Sequence, residues 1–400
     1  MRIAYVCADP GIPVFGTKGA SVHVQEVVGV LLASGHDVDL FCRRTGGAPS
    51  GALADGRESG RLRVHVAERI SGSDAGDREV RLMSGDVEMA ARIADVHAER
   101  SFDAVYERYA LFSTAGTRVA AAHALPSILE VNAPLPLEQA AHRALVHADE
   151  ADAVAREAIA GATTVVCVSE GVARWARTQA PGREILVEPN GVNADRFTPR
   201  AEGDSVPGTP FTIGFVGTLK PWHGTDTLID AFALLGVGPE VARLLIVGDG
   251  PERQSLEERA TRLGVADGVE FVGAVDPSTV PGRLAACDVG TAPYPAEGDA
   301  YFSPLKVIEY MAAGVAVVAS RVGQLPELVD DGRTGILVPG SDAAALAAAI
   351  RALAGDPARC REMGRAARSV VEEQRTWRDV VRRTFAGAGL VLDTSAGATR

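Results

Sequence analysis

The sequence has few cysteines, no metal-binding spacing, no excess of basic residues and no long apolar run. Its five cysteines, Cys7, Cys42, Cys167, Cys287 and Cys360, are scattered over 400 residues without any C-x-x-C. That pattern signals neither a disulfide framework nor a zinc cluster and fits a reducing cytoplasm. His23, His123, His142, His147 and His223 show no H-E-x-x-H spacing, so no metal site is expected. The Ala/Val-rich stretches stop short of the ~20 apolar residues needed to cross a bilayer. The opening run from Met1 to Pro10 has one basic residue and an apolar stretch closed by Asp9-Pro10. It is too short for a signal-peptide core and reads as a buried first strand. Lys plus Arg is 40 against 52 for Asp plus Glu, a net charge of −12, which opposes non-specific attraction to nucleic acid or an anionic membrane. No nucleic-acid partner and no peripheral membrane contact are expected, and the expected location is the cytoplasm.

Hydrophobic residues make up 46% and charged residues 23% of the chain, enough to bury a sizeable core. At roughly 100–200 residues per domain, two domains are the default. Short β-branched runs alternate with longer helical patterns, which predicts an α/β fold of parallel sheets covered by helices on both faces. Strands are expected near Ile3–Cys7, Val38–Phe41, Leu62–Val66, Ala104–Tyr106, Ser127–Val131, Thr164–Val168 and Ile185–Glu188. Val22–Ala33 reads as a helix stopped by Ser34-Gly35, and Gly46–Gly60 as a surface loop. Pro199, Gly203, Pro207, Gly208 and Pro210 crowd together, so residues 199–210 read as a linker after a first domain of 1–198. The alternation then restarts near Thr212–Val216, Leu244–Val247, Val269–Val272, Val289–Ala292, Val315–Ala319 and Ile336–Val338, giving a second domain of 211–375. Two Rossmann-like, doubly wound halves facing a cleft are expected, with ligands at the carboxyl ends of the strands. Residues 376–388, amphipathic and basic, are expected to form a helix packing back across the domains, and 389–400 a flexible tail.

Three stretches could carry chemistry. In Tyr301-Phe302-Ser303-Pro304-Leu305-Lys306-Val307-Ile308-Glu309, Ser303 is expected at an N-cap and Pro304 at the first helical position. The free N–H groups and dipole of that helix start, with Lys306 in its first turn, suit a phosphate. Glu309 lies on the same face and could grip a ribose diol; the plainer alternative is a capped helix with a surface Lys–Glu pair. Gly217-Thr218-Leu219-Lys220-Pro221-Trp222-His223-Gly224 follows an apolar strand and precedes a helix, an arrangement able to cradle phosphate. Gly16-Thr17-Lys18-Gly19-Ala20 joins the first strand to the first long helix, and its glycines permit close backbone approach. The Gly-Lys-Ser/Thr of a P-loop is missing there. Gly248-Asp249-Gly250 has Arg253 where a dinucleotide fingerprint needs glycine, and Ser169 lacks the first glycine of a nucleophile elbow.

With Tyr106-Glu107-Arg108-Tyr109, Ile128–Leu135, Glu188–Asn193, Val247–Pro251 and Gly323–Gly332, these stretches resemble the retaining glycosyltransferases of family 4, which have the two-domain GT-B fold. The likeness lies in the order and spacing of the motifs along nearly the whole chain. It implies metal-independent transfer of a sugar, with retained anomeric configuration, from a UDP- or GDP-sugar to a small-molecule or glycan-intermediate acceptor. That is work of carbohydrate or antibiotic biosynthesis, with the nucleotide-sugar as co-substrate and no cofactor. The donor would bind mainly in the second domain and the acceptor in the first. By position, Glu309 would bind the ribose, while Lys220, Ser303, the Leu305 amide and Lys306 would hold the diphosphate. Gly217, His223, Tyr301, Phe302 and Pro304 would line the donor site, Val275 would contact the base, and the loop of Gly16, Gly19 and Ala20 would close on the donor. His23, Glu107, Arg108 and Glu130 would face the acceptor. The chain departs from the family in three places. Tyr301 stands where a glutamate usually contacts the donor sugar. Thr218 and His223 replace an Arg–Lys phosphate pair, and Asn132, at a catalytic position, replaces a histidine near the reacting sugar. A sugar-nucleotide epimerase or hydrolase and a non-catalytic sugar-nucleotide-binding protein are the alternatives.

Overall fold

The computed structural model describes residues 1–200, 208–297 and 303–392. The chain folds as two compact units, one of Met1–Asn190 with the segment from Trp377 onward, the other of Gly191–Thr376. The first holds β1 (Arg2–Cys7), β2 (Asp37–Cys42), β3 (Leu62–Val66), β4 (Ala104–Arg108), β5 (Ser127–Val131), β6 (Thr164–Cys167) and β7 (Leu186–Val187). They form one parallel sheet in the order β3-β2-β1-β4-β5-β6-β7. Every residue of β1 is buried, as a parallel strand covered by helices on both faces requires. Helix α1 (Gly19–Ala33) packs on the sheet through Val24, Val27, Val28, Leu31 and Leu32. It ends where the Gly35 N–H bonds the Leu32 carbonyl and the His36 N–H bonds that of Leu31, with Gly35 at φ +84°. This is the Schellman closure that favours glycine.

The second unit repeats the plan with β8 (Phe211–Val216), β9 (Ala242–Val247), β10 (Val269–Gly273), β11 (Val289–Ala292), β12 (Ala316–Ser320) and β13 (Gly335–Val338). Their order is β10-β9-β8-β11-β12-β13. The order reverses between β1 and β4 and again between β8 and β11, so each sheet has the switch point at whose carboxyl edge ligands bind. In the second unit the turn Gly217–Gly224 leaves β8 there, and the helix Leu305–Ala312 follows β11.

Glycines let the turns at this edge stack on one another. A Cβ on Gly248 would lie 1.9 Å from the Gly217 carbonyl oxygen, and one on Gly250 2.3 Å from that of Leu219. The Gly248–Gly250 stretch is therefore the floor beneath the β8 turn. Tyr310 ties the helix Leu305–Ala312 to the sheet: its hydroxyl accepts the Val216 N–H at 2.9 Å and donates to the Thr291 carbonyl at 3.2 Å. Gly290 makes room for that ring, since a Cβ there would lie 2.5 Å from it.

Three expectations need correction. Within Gly46–Gly60 the chain forms helix α2 (Ala52–Glu58), because Leu53 is buried and Gly56 lets the Leu32 side chain approach. The units divide at Asn190, before the Pro/Gly-rich stretch, because Val192, Ala194 and Phe197 sit in the second unit's core and the Val192 N–H bonds the Arg375 carbonyl. The helix Trp377–Gly387 belongs to the first unit, where Trp377, Val380, Val381 and Phe385 join the core beneath α1.

Tyr310→Phe leaves the Val216 N–H and Thr291 carbonyl without this partner and should cost about 1–3 kcal/mol. Urea denaturation of the two proteins checks this.

Candidate functional site

The second unit brings Gly217, His223 and Glu309 to one buried ammonium. Lys306 lies in the first turn of the helix Leu305–Ala312 and is only 9% exposed. Its Nζ sits 4.2 Å from the centre of the Phe215 ring and 5.1 Å from that of Tyr294, and it has no hydrogen-bond partner among the described residues. The aromatic faces stabilise the cation, yet burial pulls its pKa down to about 7, with Glu309 opposing. The absence of a side chain at Gly217 matters, because a Cβ there would lie 3.0 Å from this Nζ. Glu309 is half-buried; burial pushes its carboxyl up to about 7, against the pull of Arg196 and Lys306.

The β8 turn brings further groups. His223 packs on the same two rings, 5.8 Å from Tyr294 and 6.2 Å from Phe215, and burial and Lys306 lower its pKa to about 4. Lys220 Nζ lies 5.5 Å from the ring of the exposed Trp222. Gly224, at φ +64°, starts the next helix where a Cβ would lie 1.8 Å from the Pro293 carbonyl oxygen. Val275 packs at the edge of the unit's apolar core. Tyr301 and Phe302 lie outside the described residues.

The helix start differs from expectation. Leu305 is the first helical residue and Pro304, at φ −80° and ψ 84°, is the N-cap, with no side-chain cap. The Leu305 N–H bonds the Ser303 carbonyl at 3.0 Å, an inverse γ-turn centred on proline. Ser303 is thus not the cap, and the Leu305 amide is already engaged within the turn.

In the first unit the expected acceptor residues separate onto two faces, because side chains alternate along a strand. Arg108 and Glu130 pair in register on β4 and β5. The Glu130 carboxylate accepts from Tyr106 Oη and Asn132 Nδ2 at 2.7 Å, lies 2.5 Å from His23 Nε2 and 3.6 Å from Arg108 Nη1. Burial pushes its carboxyl up, but His23, Arg108 and Asn132 outweigh this and hold it at about 2. Glu107 points to the opposite face, where its carboxylate accepts the Thr117 N–H and hydroxyl at 2.7 and 2.6 Å and the Gly116 N–H at 3.3 Å. It anchors the start of the helix Ala115–Ala122, which corrects its place on the acceptor side. The Gly16 N–H bonds the Pro13 carbonyl and its own carbonyl accepts Gln25 Nε2, while Gly19 and Ala20 open α1. Sequence reasoning missed Phe215, Tyr294, Tyr106 and Arg196. Tyr106 stood within a motif but was given no role, Phe215 lies within an expected strand, Tyr294 just past a strand end, and Arg196 just before the linker.

Residues 17–196 match the family described as Glycosyltransferase Family 4 and residues 210–356 that described as Glycosyl transferases group 1. The chain is 30% identical over 372 residues to D-inositol 3-phosphate glycosyltransferase 2 of Catenulispora acidiphila, covering 86% of this chain and 84% of that protein. It belongs to glycosyltransferase family 4. A GDP-mannose-dependent phosphatidylinositol monomannoside mannosyltransferase of Mycolicibacterium smegmatis is 33% identical over 51% of this glycosyltransferase and 56% of its own length. Sucrose-phosphate synthase from Thermosynechococcus elongatus shares the fold at TM-score 0.71 and 24% identity, covering 96% of each chain. Anabaena HepE in complex with UDP does so at 0.68 and 20%, covering 96% and 98%. The two doubly wound units of this glycosyltransferase are therefore those of the GT-B fold. No helix among the described residues is long and apolar enough to cross a membrane.

The Lys306 ammonium should cost the glycosyltransferase stability. Folded Lys306 titrates at about 7, against about 10.4 for an unperturbed lysine. Between these values the unfolded chain binds the extra proton, so stability rises with pH across that window and the penalty is full below it. Lys306→Met is expected to stabilise the protein by about 1–4 kcal/mol near pH 6, with the gain fading toward about pH 10. Denaturant titrations over that pH range read it directly.

Proposed function

We propose that this glycosyltransferase takes a sugar from a UDP- or GDP-sugar and passes it, with retention and without a metal, to a small-molecule or glycan-intermediate acceptor in the cytoplasm. The observation that carries the donor side is the buried Lys306 ammonium beside Gly217, which has no hydrogen-bond partner among the described residues. A cation held out of water without a counter-ion is unfavourable, and an anionic ligand removes that cost. Cleaving the sugar–phosphate bond leaves negative charge on the diphosphate, and donors already aimed at it lower the barrier. Lys306 and Lys220 supply such charges. Glu309, one turn along the helix, takes the ribose hydroxyls, and Val275 lies toward the base.

On the acceptor side we assign Glu130, His23, Arg108 and Asn132, a set gathered around one carboxylate that stays ionised at neutral pH, with Arg108 held as an ion pair at 3.6 Å. Such a carboxylate accepts from sugar or polyol hydroxyls, and Arg108, whose Nη1 is buried without a hydrogen-bond partner among the described residues, adds a positive group for a phosphate or carboxylate on the acceptor. The relatives named for D-inositol 3-phosphate and for GDP-mannose support a polyol phosphate acceptor and a GDP-linked donor.

Incubation with UDP-, GDP- and dTDP-sugars and candidate polyol and polyol phosphate acceptors, read by mass for glycosylated product and nucleoside diphosphate, tests the reading. Product with a retained anomer is expected. Isomerised donor, or free sugar with no glycosylated product, would contradict it. Lys306→Ala should lower kcat about 10²–10³-fold, as the loss of one transition-state charge partner does. Turnover at the parent rate would remove Lys306 from the chemistry.

A further inference from the structure

His223 carries the second unit's least explained chemistry. Its Nδ1 lies 2.5 Å from the Thr218 carbonyl oxygen. A carbonyl can only accept, so Nδ1 holds the hydrogen and Nε2 keeps a bare lone pair. The ring shares the Phe215 and Tyr294 surfaces with the Lys306 ammonium, which helps to keep the imidazole neutral, at about 4. The titratable groups that face it are Lys306, from the helix after β11, and the Tyr294 phenol, which burial holds protonated. Glu309 acts on Lys306 from the same helix, and Lys220 of the β8 turn leans on Trp222.

Glycosyl transfer leaves a proton over. The bond from the anomeric carbon to the β-phosphate oxygen breaks and its electron pair stays on the diphosphate. The acceptor oxygen bonds to that carbon and loses its hydrogen, so each turnover yields one proton and one extra negative charge on the diphosphate. Resting on the reading that this unit binds the donor diphosphate, we infer that His223 Nε2 receives this proton through the leaving diphosphate oxygen and holds it as imidazolium until the nucleotide departs. The negative charge beside the ring favours the protonated form while the product is bound, and its departure returns the imidazole to neutrality and releases the proton. A lysine in this place would supply charge but accept nothing. An amide would neither accept the proton nor hold charge.

Titration calorimetry with UDP and with GDP at about pH 6, in two buffers of different ionisation enthalpy, tests this on the parent, His223→Gln and His223→Lys. At this pH Lys306 is already largely charged, and the ionisation of the nucleotide itself is common to all three proteins. The parent is expected to take up about 0.5–1 proton more per bound nucleotide than either variant, and kcat of both variants to fall about 10-fold or more. Equal proton uptake by the parent and either folded variant overturns the role of His223 while leaving the diphosphate site standing. Failure of the parent to bind either nucleotide overturns both.

Discussion

A lysine ammonium buried against two aromatic rings, with no hydrogen-bond partner among the described residues, is the constraint from which the second unit's geometry follows. Phe215 comes from the sheet, Tyr294 from the chain just after β11, and Lys306 from the helix that Tyr310 locks onto β8 and β11. Gly217 leaves the space that Nζ needs, and Gly248 and Gly250 let the underlying turn rise close enough to hold Gly217 there. The stability lost in keeping this charge out of water is the cost that the proposed diphosphate would offset, since unsatisfied buried groups often belong to functional sites.

The basic residues reinforce this view. Only three of the 40 are lysines, Lys18, Lys220 and Lys306, and each falls in one of the three stretches that the sequence offers as able to carry chemistry. Arginine, a broad planar fork, serves the ion pairs elsewhere, such as Arg383 with Glu188 and Arg2 with Asp39. An ammonium is a compact point charge, which suits the tight space between Gly217 and two rings. The first unit solves the opposite problem: Glu130 is a buried anion, and His23, Arg108, Asn132 and Tyr106 surround it with donors.

The strands were legible because β-branched runs in a doubly wound sheet are buried on both faces, and each expected strand is found with ends within about two residues. Helix α2 was not, since Ala52, Gly56 and their neighbours give no apolar period and the helix forms by packing on Leu32. The division at Asn190 was hidden because the burial of Val192 and Phe197 in the second unit's core depends on tertiary contacts. At the site, Lys306, His223 and Gly217 stood out through local spacing and meet in space. The wall formed by Phe215 and Tyr294 joins residues far apart in sequence, so no local pattern announces it. Glu107 was placed on the wrong face because its motif was read as a block, although alternate residues of a strand point apart.

The most direct measurement is the titration of the lysine side chains by nuclear magnetic resonance, with Lys306→Met assigning its signal among the three. Lys306 is expected to lose its proton near pH 7 in the free protein, and saturating UDP or GDP should move that midpoint up by about one unit or more. A Lys306 signal that titrates near the ordinary value of about 10.4 and ignores both nucleotides would contradict the account.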